Sequence, residues 1–309
     1  MRKLSDWIQE HSSQKIVKFI VGIRGMEKSQ VLRKCLPEDV VRIDFDDPKW
    51  RRLKTAEDVI AYLDGRGRSP SAPDSPTACP LILEEPGRIF RHTTLLRTLV
   101  ESGRWNVFVI ASNNHVIEDM REYWPEGQLA QFRIWRRVGR PRSEEYLFAV
   151  WNTIFVRDVA DGIEGCDVRR FAALAEYYSD HIGAVVSNRR IANVLVSRGS
   201  KRCDRTIALM RRALEKAYII EFCECYDWFE DEVVKNRPKV FWTDLEMRDF
   251  RFGHAPDEEA RRHALNRLYL DLRYKYDRVY WPRDHKEADF LTIDANGKHE
   301  LWSVNAKAQ

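Results

Sequence analysis

The chain is poor in the features that mark several common protein classes. Its six cysteines include no C-x-x-C pair, which removes the usual zinc-ribbon and dithiol-redox spacings and reads as reduced, buried thiols of a cytoplasmic protein. Cys223-Glu-Cys225 has the spacing of one strand face, not of a zinc site. No apolar run approaches the roughly 20 residues that span a bilayer, so no membrane partner is expected. MRKLSDWIQEHSSQK reads as an amphipathic helix with acids in it, not as a signal peptide. No internal repeat is present, which excludes a solenoid or a propeller.

What is there describes a globular chain. Hydrophobic residues make up 44% and charged residues 32% of 309 positions, a composition that excludes disorder. The length suits two or three domains. KIVKFIVGI (15–23) is an apolar β-type run entering a glycine turn, and SQVLRKCL after it reads as a helix. VVRIDFDDP (40–48) is a second strand, ending in acids and a proline stop. TAEDVIAYL (55–63) opens with Thr55 and carries Asp58 three residues on, close to a capping box. GRGRSPSAPDSPTACP (65–80) holds four prolines and three serines and is expected to be a mobile surface insertion. PLILEE (80–85) and NVFVIASNN (106–114) are buried strands ending in polar residues. Strands alternating with helices, polar at their C-terminal ends, predict a parallel α/β sheet with its site on that edge.

After Arg140 the pattern changes. Helices dominate from about 143 to 220, and mixed helix and strand return from about 230. Glu258 to Tyr276 reads as a helix with Ala264, Leu265, Leu268 and Leu272 in a stripe. VYWP, ADFLTI and LWSV read as strands, the last two joined by a turn at 295–297.

The order of GIRGMEKS with IDFDDP, LILEEPG with VFVIASN, TIFVRDV, YYSDHIGAVVSNRRIANVL…IALMRRALEKAYIIEFCECYD…KVFWTDLEMRD, and KEADFLTI with LWSV resembles a family of prokaryotic AAA-type ATPases. The resemblance implies an α/β P-loop NTPase domain over 1–138, with 65–80 as its insertion. A linker helix and winged helix over 139–226 follow, then a small α+β restriction-nuclease-like domain over 227–309. It also implies ATP and magnesium as ligands. Gly22, Arg24, Gly25, Lys28 and Ser29 would hold the nucleotide, Ser29 and Glu84 the metal, and Glu85 and Asn113 would serve catalysis.

Several positions depart from that pattern. A phosphate loop points successive N–H groups at an anion on a helix N-terminus, and the residue before its lysine is glycine so that the backbone can come close. Here it is Glu27. Two unit charges 4 Å apart repel by about 1 kcal/mol in water and about 4 at an effective dielectric near 20, so the loop is expected to be impaired. Glu84 stands where the family has aspartate, Ile110-Ala111 where it has Thr-Gly, and Gln128 where an arginine would stabilise the transferred phosphate. The small helical lid is largely missing. Weak or lost hydrolysis is the expectation.

In the middle segment Ser187 caps SNRRIANVL, with Ile191, Val194 and Leu195 inward. SRGS turns the chain, and a second helix places Ile207, Met210, Leu214 and Ala217 inward. Nine Arg and Lys against two acids give residues 188–216 a net charge of +7 in a chain of +4. That concentration fits a phosphate-binding face, with Arg202, Arg205 and Thr206 at the helix start as candidate contacts to double-stranded DNA. A protein partner is the other occupant such a module can take. In the last segment Asp289 matches the first acid of a metal nuclease, but Ser303 and Asn305 stand where an acid and a lysine are needed. Leu265 precedes Asn266 where an acid is expected, and Lys307 is displaced. Nuclease activity is therefore not expected. The leading expectation is an ATP-binding P-loop protein with weak or lost ATPase activity and a DNA- or partner-binding winged helix. The alternative is a non-enzymatic DNA-binding or scaffold protein whose P-loop domain is a relic.

Overall fold

The computed structural model describes residues 4–38, 40–65, 78–123, 129–135, 141–159, 168–197, 204–253, 258–285, 287–294 and 296–304. The core of the expected insertion (66–77), Gln128, the turn at 198–200, Arg202, Asn305 and Lys307 lie outside them. The chain divides into two compact units, Met1–Ile134 and Trp135–Gln309. Among the described residues no helix is long and apolar enough to cross a membrane.

The first unit runs α1 (Leu4–His11), β1 (Val17–Val21), α2 (Lys28–Arg33), β2 (Val41–Asp44), α3 (Ala56–Gly65), β3 (Cys79–Glu84), α4 (His92–Glu101), β4 (Trp105–Ala111), α5 (His115–Tyr123) and β5 (Leu129–Arg133). Its sheet has the order β2-β3-β4-β1-β5, and every pair is parallel. All five residues of β1 are buried, as are all but Asn106 in β4. Parallel strands covered on both faces must be apolar throughout, which is why these runs do not alternate. The capping box forms as expected. Asp58 N–H donates to Thr55 Oγ1 (3.2 Å) and Thr55 N–H to Asp58 Oδ2 (2.9 Å), starting α3. One residue breaks the apolar rule. Lys18 is fully buried in β1, its Nζ donating to the carbonyls of Gln14 (2.9 Å) and Ile16 (3.2 Å), and burial pulls its pKa down to about 8.

The second unit begins with α6 (Glu144–Thr153), which continues as a π-helical turn (Ile154–Val159). Then come α7 (Val168–Asp180), α8 (Asn188–Ser197), α9 (Asp204–Lys216), β6 (Ile220–Asp227), β7 (Glu232–Trp242), α10 (Leu245–Phe252), α11 (Glu258–Lys275), β8 (Arg278–Pro282), β9 (Phe290–Ile293) and β10 (His299–Trp302). These strands form a mixed sheet of order β10-β9-β8-β6-β7, in which β6 pairs antiparallel with β7 and parallel with β8. The segment between α7 and α8 adds bridges to β7 at Ile182–Val240 and Val185–Lys239.

The expected boundary at 226/227 falls inside the β6–β7 hairpin, where Asp227 faces Glu232, and β6 bonds a strand on each side, so the strand that follows α9 lies in one sheet with the C-terminal strands. Cys223 and Cys225 are both buried in β6, and desolvation raises both thiols, which leaves them inert. The inward residues of α11 also differ from the expected stripe. Asn266, Tyr269 and Leu272 are buried, while Leu265 and Leu268 flank them half-buried.

Candidate nucleotide site

The sheet of the first unit gathers its polar strand ends on one edge. Between β1 and α2 the loop turns through three residues of positive φ, at Gly22 (148°), Gly25 (86°) and Glu27 (54°). At Gly22 a Cβ would come within 2.8 Å of the Ile134 carbonyl oxygen, so that place admits only glycine. Glu27 is left-handed (φ 54°, ψ 31°) at the N-cap of α2, and its side chain makes no capping hydrogen bond. An L-residue pays about 1–2 kcal/mol for that conformation. The motif's glycine is thus missed for a reason of backbone geometry as well as of close approach.

Lys28 opens α2 and is buried. Its Nζ donates to the carbonyls of Gly22 (2.8 Å) and Ile23 (3.1 Å) and to Ser112 Oγ (3.1 Å), which draws the loop around the ammonium. Ser29 Oγ donates to Glu84 Oε2 at 2.5 Å. Ser29 and Glu84, expected as a metal pair, are thus hydrogen-bonded to each other, Ser29 being next in the chain to Lys28. Arg24 turns elsewhere, its Nη1 donating to Asp46 Oδ2 at 2.8 Å and its Nη2 lying 3.7 Å from Glu85 Oε1. Arg88 also reaches Asp46, at 3.4 Å. Glu85, itself left-handed at φ 53°, accepts the Ser112 N–H at 2.9 Å. Asn113 Oδ1 accepts the His115 N–H at 3.1 Å at the entry to α5, so its carbonyl works as a turn cap.

One residue of this edge escaped the sequence reading. Arg42 in β2 donates through Nε to Glu84 Oε1 and through Nη2 to Asp44 Oδ2 (3.1 Å). The hydrogen bond to Glu84 is the main reason its pKa rises, while desolvation and then the Glu84 charge raise that of Asp44. The signal was the alternation in Val41-Arg42-Ile43-Asp44, which sets Arg42 and Asp44 on one strand face beside Glu84.

The two implied ligands fare differently. The loop's left-handed turns and Lys28 fit an anionic phosphate at a helix start. A divalent cation would need the Glu84 carboxylate, one oxygen of which accepts from Ser29 and the other from the charged guanidinium of Arg42. A divalent and a monovalent cation ~4 Å apart repel by about 2 kcal/mol in water and about 8 at an effective dielectric near 20. Among the described residues no group of three His, Cys, Asp or Glu could hold a metal. The expected Ser29–Glu84 metal pair does not fit the cation as these residues are bonded.

In the second unit the expected inward residues Ile191, Ile207, Met210, Leu214 and Ala217 are buried, and Val194 is half-buried. Arg205 is exposed at the start of α9, with Leu209 and Arg212 on the same face, while Thr206 is half-buried. Arg189 and Arg190 are exposed on α8. Arg211, counted above with the basic face, instead lies over the Phe222 ring at 3.8 Å and donates to Asn188 Oδ1 at 3.3 Å. The β6–β7 turn is acidic, with Glu230, Asp231 and Glu232 all exposed beside Phe229. Asp289 accepts the Val304 N–H at 2.8 Å, and Asn266 clasps Trp242 through its N–H (2.8 Å) and carbonyl (2.7 Å). Both serve as backbone ties between elements.

No family model matches the chain. An uncharacterized protein of Haemophilus influenzae is 25% identical over 157 residues, which cover 50% of this chain and 39% of that protein, well under two thirds of its length. Among solved structures, the chain is similar to a Walker-type ATPase of Pyrococcus abyssi, with 13% identity and a TM-score of 0.46 over 81% of this chain and 95% of that one. It is also similar to a signal-transduction ATPase with numerous domains from Pyrococcus horikoshii that carries a tetratricopeptide repeat sensor. There the identity is 13% and the TM-score 0.25, over 86% of this chain and 45% of that one. What the site can bind is decided by its own residues.

Proposed function

We propose that the first unit binds ATP through the loop 22–29 and hydrolyses it slowly or not at all. The observation that carries this is Lys28, held at the helix start by Gly22, Ile23 and Ser112 with Ser29 beside it on Glu84. An ammonium at a helix start, held by carbonyl and hydroxyl oxygens, can exchange those acceptors for a β/γ-phosphate. Slow hydrolysis follows from Glu85. A general base needs a free carboxylate near the attacking water, and this one accepts from Ser112 and lies beside Arg24. Asn113, expected as the polar sensor, spends its carbonyl on His115.

In the same proposal α7, α8, α9 and the β6–β7 hairpin form a winged helix that takes double-stranded DNA or a protein partner on the exposed face of α9. Arg205 and Arg212 support DNA; the acidic turn at 230–232 opposes it. The strands after β7 serve as packing, not as a nuclease. The second reading, a non-enzymatic DNA-binding or scaffold protein with a relic loop, is favoured by Glu27, with Glu84 and Gln128 standing where the pattern has aspartate and arginine.

A melting scan with and without ATP separates the two. A ligand at 100 times its Kd adds about 2.7 kcal/mol of stability. A clear upward shift that vanishes in Lys28→Ala is expected; no shift at millimolar ATP would leave the relic reading.

A further inference from the structure

We propose that Arg42 is a built-in counter-cation for Glu84, so that this site takes a nucleoside triphosphate free of divalent metal. The proposal rests on the nucleotide-binding reading above and names the ionic form of the ligand.

Three observations converge on it. Glu84 is buried and both its oxygens are bonded, Oε2 by Ser29 at 2.5 Å and Oε1 by Arg42. The position where a metal would draw on the carboxylate already carries a positive charge, fixed in a strand whose neighbour in register is Glu84's own. The other acids of the edge are met in the same way. Asp44 pairs with Arg42 (3.1 Å), Asp46 with Arg24 (2.8 Å) and Arg88 (3.4 Å), and Glu85 lies 3.7 Å from Arg24. In a metal-dependent site the cation relieves repulsion among carboxylates; here three arginines do so. Arg42 also lines an open surface cavity of about 320 Å³ with Arg33, Lys49 and Trp50, so its guanidinium is reachable and exchangeable by substitution without opening the core.

Arg42 acts through Glu84 and is a positioning residue, so the readout is the metal dependence of binding. Calorimetry with ATP would be run on the whole chain in excess Mg²⁺ and in EDTA, for the wild type, Arg42→Gln and Arg42→Lys. The wild type is expected to bind equally well in both buffers, within about threefold. In Arg42→Gln the uncompensated carboxylate should make binding about tenfold or more tighter with Mg²⁺, one unit charge at a half-buried site being worth that much. Arg42→Lys should restore indifference. A wild type that binds ATP tenfold or more tighter with Mg²⁺ overturns the proposal and leaves nucleotide binding standing, as does an Arg42→Gln protein with an unmoved ratio. No ATP binding by any variant in either buffer refutes both.

Discussion

The molecule contains two five-stranded sheets, and they use their polar residues in opposite ways. In the parallel sheet every strand ends on the same edge, so Asp44, Glu84 and the loop after β1 come together, joined by Arg42 from β2 and by Arg24 and Arg88 from the connections. In the mixed sheet strand ends point to both edges, and in that unit comparable residues are spread out and consumed as ties. Arg142 is the plainest case. Its guanidinium is only 3% exposed, donates twice to Asp244 at 2.7 Å and once to Glu246 at 2.9 Å, and Asp244 in turn caps α10 through Met247 N–H. The same residue types make a site where direction converges them and a scaffold where it does not.

If that contrast holds, substitutions of the tying residues in the second unit should cost stability, and those on the parallel edge should change ligand behaviour. The largest effect is expected for Arg142→Ala, which strands two acids beside a buried cap and should lower unfolding free energy by about 3–5 kcal/mol in urea titration. Asn266→Ala comes next, at about 2–4 kcal/mol, because the Trp242 N–H and carbonyl lose their partner in a buried place. A near-neutral result for both would break the comparison.

Lys18 probes the parallel sheet away from its edge. Its folded pKa of about 8 lies below the ordinary lysine value of 10.5, so between those values the unfolded chain holds the extra proton. Stability then rises with pH across that window, by up to about 3 kcal/mol. Lys18→Met should remove this rise, read as the difference between the two proteins' urea midpoints at pH 7 and pH 10. Smallest in stability is Glu27→Gly, which should gain about 1 kcal/mol by relaxing the left-handed residue and tighten ATP binding several-fold by removing a like charge. ATP binding that is already tight and unmoved by this change would mean that Glu27 points away from the phosphates.

Much of the parallel sheet could be read from the sequence, because its strands are uniform apolar runs with polar ends and Thr55–Asp58 is a local device. Gly22, Lys28 and Ser29 were singled out by their match to a known loop pattern. Arg42 was not, since its partner Glu84 is set by strand register, a long-range property. The left-handed backbone at Glu27 was hidden for a related reason: a motif names the residue that fits, not the torsion that demands it. In the second unit, Asp289 and Asn266 were read as matches to a nuclease pattern, while their work as backbone clasps depends on Val304 and Trp242, which only the fold brings near. The β6–β8 pairing, which crosses the expected boundary at 226/227, joins strands separated by three other elements and leaves no local mark.

That pairing has a consequence for how the second unit opens. β6 is a central strand, so the hairpin following α9 cannot fray unless β8 is peeled from it at Cys225–Trp281 and Tyr226–Pro282. The helices α8 and α9 and the strands after α11 then belong to one unit of local unfolding, sharing one opening free energy. A ligand that grips the outer face of α9 would raise that free energy for all of them. Amide hydrogen exchange should therefore slow in β8 and β9 along with α9, and the edge strand β10 should be the first to exchange.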